Sequence, residues 1–233
     1  MDLNDLLQEK VNKAEALLKQ IEKDDAPAAF ANSFGAEDMV LMDLIDRAAP
    51  GIEVFSLDTG RLPAETYALM QTVQQKYKTP VLVYFPDTEQ VEQFTRKNGP
   101  NAFYDSVELR KECCRIRKIL PLKRALAGKQ AWITGLRREQ SPTRTEMAEK
   151  EWDDGNQMHK YNPLIEWTEA EVWEYIRHFD VPYNALHDQH YPSIGCAPCT
   201  RAIAVGEDIR AGRWWWEDPE SKECGLHVKK AGA

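Results

Sequence analysis

Short apolar runs alternate with amphipathic stretches of ten or more residues along most of this chain, and that alternation restricts its fold more than any other feature. Residues 2–23 place Leu3, Leu6, Leu7, Val11, Ala14, Leu17, Leu18 and Ile21 at helical spacing. After Pro27, residues 28–34 read as a buried strand, and 36–48 resume the helical period through Val40, Leu41, Leu44, Ile45 and Ala48. The pattern continues with a strand over 52–57, a helix from Pro63 to about Lys78, a strand over 81–85 and a helix over 87–96. A basic helix over 115–127, kinked at Pro121, precedes a strand over 131–134. Strands joined by helices pair in parallel, so the expected fold is α/β, a parallel twisted sheet with helices on both faces. Beyond Pro142 the composition shifts. Residues 145–160 are very polar and are expected to form an exposed connection. Thr168 with Glu171 is a capping box that opens a helix. Residues 180–195 are expected to be irregular, and 200–205 a short helix.

The 233 residues suffice for one well-filled core or two small domains. A formal net charge of -8 disfavours nucleic acid as a partner. Basic residues are nevertheless concentrated locally, as in Arg115, Arg117 and Lys118, or Arg137, Arg138 and Arg144, which suits a small anionic ligand. No apolar run reaches the length of a membrane span, and the charged N-terminus does not read as a secretory signal. The expected location is the cytoplasm.

Five cysteines carry the chemistry. Cys113 and Cys114 are adjacent, Cys196 and Cys199 form a C-x-x-C, and Cys224 stands alone near the C-terminus. An odd count in a reducing compartment argues against a disulfide framework. Thiolates are soft ligands for zinc or for an iron–sulfur cluster. Zinc sites usually space their first pair by two to four residues, so a contiguous pair is awkward for one tetrahedral ion. A cubane presents separate irons, and neighbouring cysteines can each take one. The favoured reading is one [4Fe-4S] cluster on Cys113, Cys114, Cys196 and Cys199. Buried free thiols and a redox dithiol are the competing readings. Cys224, followed by Gly225 and His227, is either a reactive thiol or a surface cysteine on a frayed tail.

Three strand ends are candidate ligand contacts, since ligands of parallel sheets bind at the carboxyl edge. Ser33, Gly35 and Asp38 lie where a strand meets a helix N-terminus, which attracts anions; a plain turn is the alternative. Asp58, after Leu57, could bond a ribose or adenine, or simply cap the next helix. Gly135 to Arg138 could clamp phosphate through Arg137, or pair with nearby acids.

Taken in order, these segments resemble the assimilatory adenylyl-sulfate and phosphoadenylyl-sulfate reductases. The markers are Ser33 to Asp38, Ser56 to Gly60, Cys113-Cys114, Thr134 to Arg138, Cys196 to Cys199, and Glu223 to His227. The resemblance implies a fold like that of the adenine nucleotide alpha hydrolases, and the adjacent pair with the C-x-x-C marks the cluster-containing branch, which mostly reduces adenylyl sulfate. It implies Cys224 as catalytic nucleophile and thioredoxin or a similar dithiol as reductant. It assigns the phosphosulfate to Lys118, Arg144, Arg210, Arg213 and His227, and the nucleoside to Ser33, Leu57 and Gly135. It further implies a homo-oligomer such as a tetramer. The expected organisation is one α/β domain over 1–206 and a mobile C-terminal segment, 207–233, bearing Cys224. The alternatives are a phosphoadenylyl-sulfate or dual-specificity reductase, an ATP pyrophosphatase of the PP-loop type, and a zinc or iron–sulfur module without enzymatic activity. Phe34 and Ala36 stand where the pyrophosphatases tend to carry glycine, which counts against ATP cleavage.

Overall fold

The computed structural model describes residues 3–140 and 147–218. Strands β1 (Ala28–Ala31), β2 (Glu53–Leu57), β3 (Val81–Tyr84), β4 (Ala131–Ile133), β5 (Lys150–Asp153) and β6 (Met158–Tyr161) form one sheet in the order β3-β2-β1-β4-β6-β5. β1 runs parallel to β2 and β4, and β4 parallel to β6; β5 is antiparallel to β6. The described α-helices are α1 (Asp5–Asp24), α2 (Ala36–Ala48), α3 (Ala64–Lys76), α4 (Thr88–Asn98), α5 (Val107–Cys114), α6 (Leu120–Ala125) and α7 (Glu169–His178). No helix among the described residues is long and apolar enough to cross a membrane.

The chain divides into two compact units. The first comprises Met1–Ser56, Glu65–Leu82 and Gly128–Asn184. Its core joins Leu7, Val11, Leu18 and Ile21 of α1 to Met39, Val40 and Leu44 of α2, with Leu69 and Val73 of α3 and Val172, Tyr175 and Ile176 of α7. The same cluster takes Ala28 and Phe30 from β1 and Ala131 and Ile133 from β4. Ala29 and Trp132 alternate with them, point to the other face, and are equally buried. Strands covered on both faces read as continuous apolar runs rather than as alternation. The capping box is present: Thr168 accepts from the Glu171 backbone, and the Glu171 carboxylate accepts from the Thr168 N–H.

The second unit comprises Leu57–Ala64, Val83–Ala127 and Ala185–Ala233. Between α5 and α6 the chain widens into a π-helical turn, Arg115–Ile119, where the Leu120 N–H reaches the Arg115 carbonyl. Pro121 explains it. In a regular α-helix its ring would press on the Arg117 carbonyl and supply no N–H. One widened turn before it relieves that clash, so the irregularity falls N-terminal to Pro121 and not at it.

Two expectations are corrected. Residues 145–160 were to be an exposed connection, yet they contain the β5–β6 hairpin, and β6 is largely buried beside β4. Polar residues hide this strand, because Lys160 is buried only by pairing with Glu151 (3.0 Å) and stacking on Trp132 (5.6 Å). Residues 200–205 form no helix. The Thr200 hydroxyl accepts from the Gly195 N–H and donates to the Cys196 carbonyl, and the Arg201 N–H bonds the Gly212 carbonyl. With Thr200 extended and the Ile203 N–H bonded to the His190 carbonyl, the segment is held by partners on both sides and not by its own turns.

Candidate functional site

In the first unit the chain lays β2 and β3 on one side of β1 and then crosses to place β4 on the other. The loops after β1 and β4 therefore open side by side at the carboxyl edge, the usual place for a ligand in such sheets. Asp38, in the first turn of α2, ties them together. It accepts from the Ser33 N–H (2.7 Å) and the Ser33 hydroxyl (2.5 Å), and from the Gly135 N–H. A Cβ on Gly135 would overlap the Asp38 carboxylate, so the close approach requires glycine. Phe34 is buried and holds a φ of 61°, a left-handed conformation that a bulky residue rarely adopts. The Asn32 carboxamide oxygen accepts from its N–H at 2.7 Å.

Burial pushes the Asp38 carboxyl up to about 6, with the Ser33 hydrogen bonds opposing the rise. Unperturbed, the group releases its proton near 3.8. The folded protein thus holds one more proton than the unfolded chain between those values. This carboxyl's contribution is most favourable at the acid end and is lost as pH rises through about 6. Relative to Asp38→Ala, stability should fall by roughly 2–3 kcal/mol from pH 4 to pH 6.5. Urea unfolding of both proteins across that range measures it, and a difference that stays flat would refute the buried titration.

In the second unit a small cavity, open to solvent, is lined by Cys113, Cys114, Cys196 and Cys199 together with Arg61, Arg110, Arg117 and Lys118. Cys113 and Cys114 end α5, and the π-helical turn after them carries Arg117 and Lys118. The C-x-x-C arrives on a short 3-10 turn, Ala197–Cys199. The turn after β2 locks these pieces in place. The Thr59 hydroxyl lies 3.2 Å from the Cys196 sulfur, its carbonyl accepts from Arg117 at 2.6 Å, and the Arg61 carbonyl accepts from the Ala197 N–H at 2.8 Å. Gly60 has a φ of 70°, which this turn reserves for glycine. The Tyr104 hydroxyl holds the Pro198 carbonyl at 2.8 Å.

Burial pushes the Cys199 thiol up to about 12; Cys196 adds to the rise, and Lys118 and Arg213 oppose it. Cys113 is raised by burial as well, against the pull of Arg117. Among the described residues, no three Cys, His, Asp or Glu side chains are grouped as the ligands of a single metal ion. The four thiols line one shared space flanked by Arg117 and Lys118.

Each residue singled out in the sequence now has a place. The four cysteines and Lys118 line one cavity. Ser33, Gly35 and Gly135 lie in the loops at the sheet edge, and Leu57 is the last residue of β2. Asp58 is buried, and its carboxylate accepts from the Gly60 N–H at 2.7 Å, closing the turn. Arg137, expected as a phosphate clamp, is buried with its guanidinium taken by Glu37 (2.8 Å) and Glu139 (3.3 Å), and it braces the start of α2 against the β4 loop. Arg210 lies in a turn and Arg213 in a bridge with Thr200, not on one helical face. Arg213 packs over Gly195, where a Cβ would collide with its guanidinium, and over the Trp214 ring at 4.7 Å. Arg144, Cys224 and His227 lie outside the described residues. Sequence reasoning passed over Asp38 as the tie between two loops, and over Thr59, Arg61 and Arg117 as neighbours of the cysteines. Thr59 and Arg61 flank a glycine that ends a strand, and Arg117 sits in the basic run after Cys114, so a signal existed without its partner.

Residues 27–202 match the family described as the phosphoadenosine phosphosulfate reductase domain. An adenosine 5'-phosphosulfate reductase of Allochromatium vinosum is 56% identical over 92% of this chain and 84% of its own. One of Burkholderia cepacia is 53% identical over 94% and 88%, and one of Neisseria meningitidis serogroup A 52% identical over 95% and 91%. Among solved structures, the phosphoadenylyl-sulfate reductase of Candida auris in complex with phosphate superposes with a TM-score of 0.71 at 25% identity, covering 87% of this chain and 99% of that one. The FMN adenylyltransferase of Candida glabrata, at 13% identity and a TM-score of 0.59 over 96% and 80%, shares the fold, which is that of the adenine nucleotide alpha hydrolases.

Proposed function

The chain belongs to the phosphoadenosine phosphosulfate reductase family, and from that premise we propose that it reduces adenosine 5'-phosphosulfate to sulfite and AMP, as an oxidoreductase acting on sulfur in sulfate assimilation and cysteine biosynthesis. The observation that carries this reading is the gathering of Cys113, Cys114, Cys196 and Cys199 around one cation-flanked cavity, which leaves Cys224 as the cysteine outside the set. Relatives of about half identical sequence named for the substrate without the 3'-phosphate favour it over phosphoadenylyl sulfate.

The donor set fits one [4Fe-4S] cluster. Four thiols are the usual ligands of such a centre, and a cubane accepts wider sulfur spacing than one ion does. Cys113, Cys114, Cys196 and Cys199 would hold it, giving up their protons on binding. When bound, the cluster supplies a fixed field beside the substrate; the electrons of the reaction come from elsewhere. Lys118 and Arg117, after the adjacent pair, offset its negative charge and present a cation to an anionic ligand.

The Cys224 thiolate attacks the sulfur of the sulfuryl group. A sulfur–sulfur bond forms, the bond from that sulfur to the phosphate oxygen breaks, and AMP departs with the electron pair. As a phosphate it is a good leaving group and needs little acid help. Arg144, Arg210, Arg213 and His227 hold the phosphosulfate, and Ser33, Leu57 and Gly135 the nucleoside. A thioredoxin, or a similar dithiol, then attacks the Cys224 sulfur and expels sulfite. Its second thiol resolves the mixed disulfide, so the dithiol is oxidised and Cys224 returns to a thiolate. Such reductants are kept reduced in the cytoplasm, where we place this enzyme, as a homo-oligomer.

A sulfite-release assay with thioredoxin and both adenylylated sulfates tests the reading. We expect adenylyl sulfate to be favoured at least tenfold in kcat/KM. A preference for the 3'-phosphorylated substrate would replace the substrate named here, and pyrophosphate release from ATP without sulfite would overturn the activity.

A further inference from the structure

We propose that the Arg110–Glu217 ion pair is a positioning device that pins the root of the C-terminal segment to the helix carrying the adjacent cysteines, and so sets where Cys224 can reach. The inference rests on the role given above to Cys224. Arg110 lies one turn before Cys114 on α5, and its side chain is fully buried; that of Glu217 is 3% exposed. Two hydrogen bonds join them, from Nε at 2.9 Å and from an Nη at 2.6 Å, a fork-to-fork geometry that fixes direction as well as distance. The same guanidinium hydrogen-bonds the Cys114 sulfur and lies 4.8 Å from the centre of the Trp214 ring.

The second cysteine pair holds the same root. The Trp214 N–H bonds the Cys199 carbonyl at 3.1 Å, Thr200 and Arg213 form a bridge, and the Glu217 N–H closes on the Trp214 carbonyl at 2.9 Å. Residues 213–217 are thus bound from both cysteine-bearing segments. A buried ion pair contributes little net stability compared with apolar groups of similar size. What the pair does fix is direction, and the tail that it anchors carries Cys224. Seven residues separate Glu217 from Cys224 and span at most about 25 Å.

If Glu217 let go, the next held residue would be Trp216, packed on Phe103 and Tyr104 and eight positions from the thiol. Lengthening the stretch before the thiol from seven positions to eight changes the effective concentration of its end by less than about twofold. A larger loss therefore reports lost orientation rather than lost reach.

The test uses the holoenzyme with Glu217→Gln, which leaves Arg110 on the Cys114 sulfur, and Glu217→Asp, which keeps the charge and shortens its reach. Three readouts are followed: the visible cluster band, the dissociation constant for adenylyl sulfate, and the single-turnover rate of sulfonate formation on Cys224 by mass spectrometry. We expect the first two within twofold of wild type and the third reduced more than fivefold. Trypsin cleavage after Arg210 and Arg213 should accelerate at least tenfold as the root detaches. A sulfonation rate reduced less than fivefold, or loss of the cluster band in step with activity, overturns the positioning role. The protease arm stands apart from the chemistry. If wild type forms no sulfonate, the reaction proposed for Cys224 fails, while unchanged proteolysis in the variants sinks the anchor.

Discussion

Replacement of Cys224 by serine will leave a brown, folded protein that binds adenylyl sulfate and releases no sulfite. A hydroxyl at neutral pH is almost wholly protonated, while a thiol is a few per cent thiolate and intrinsically far more nucleophilic. Loss of a covalent nucleophile costs on the order of 10³-fold or more in turnover. The wild-type protein, incubated with substrate and no dithiol, should gain the mass of one SO3 on the peptide containing Cys224; the variant should gain none. A serine variant that turns over within tenfold of wild type would remove Cys224 from the mechanism. The prediction also separates the two sulfur populations. The visible band must survive this substitution, because the four other cysteines line the cavity without Cys224.

Cys196→Ser should have the converse phenotype: colourless and inactive, with Cys224 intact. Cys196 is buried, and Thr59 reaches its sulfur at 3.2 Å, so the ligand and the turn that orients it fail together. Changes to the outer partners of metal ligands already cost 10–100-fold, so loss of a ligand should lower turnover by roughly a hundredfold or more. Because cluster assembly and local folding are coupled, the melting temperature should fall as well. Absorbance, iron content and thermal unfolding of the purified variant check all three. Full iron with an undiminished visible band would show that Cys196 is not a ligand. Read side by side, the two variants distinguish a centre that shapes the site from a thiol that reacts.

Much of the architecture was legible because it is local. The helices over 5–24, 36–48 and 64–76 and the strands near 28–31, 53–57, 81–84 and 131–133 fall within a few residues of where periodicity puts them. The β5–β6 hairpin escaped because its burial depends on partners far along the chain. Lys160 and Tyr161 become strand residues only beside Trp132 and Ile133 of β4. The π-helical turn was signalled by Pro121, although the proline marks the clash and not where the chain relieves it. At the candidate site, residue types announced soft ligands and cations. Pairing then decided where each cation stands: Glu37 and Glu139 occupy Arg137, while Lys118 lines the cavity of the cysteines.

From the amino acids alone came the kind of sheet, the division of five cysteines into four and one, and the family likeness; each depends on residue identity or short-range spacing, which a linear reading preserves. Only the folded chain could bring Cys113 and Cys114 to Cys196 and Cys199, make Asp38 the tie between Ser33 and Gly135, and seat Glu217 on Arg110. Those meetings span up to about a hundred residues, and they are chosen by which buried charges and polar groups can satisfy one another when the core closes, a condition that no local pattern records.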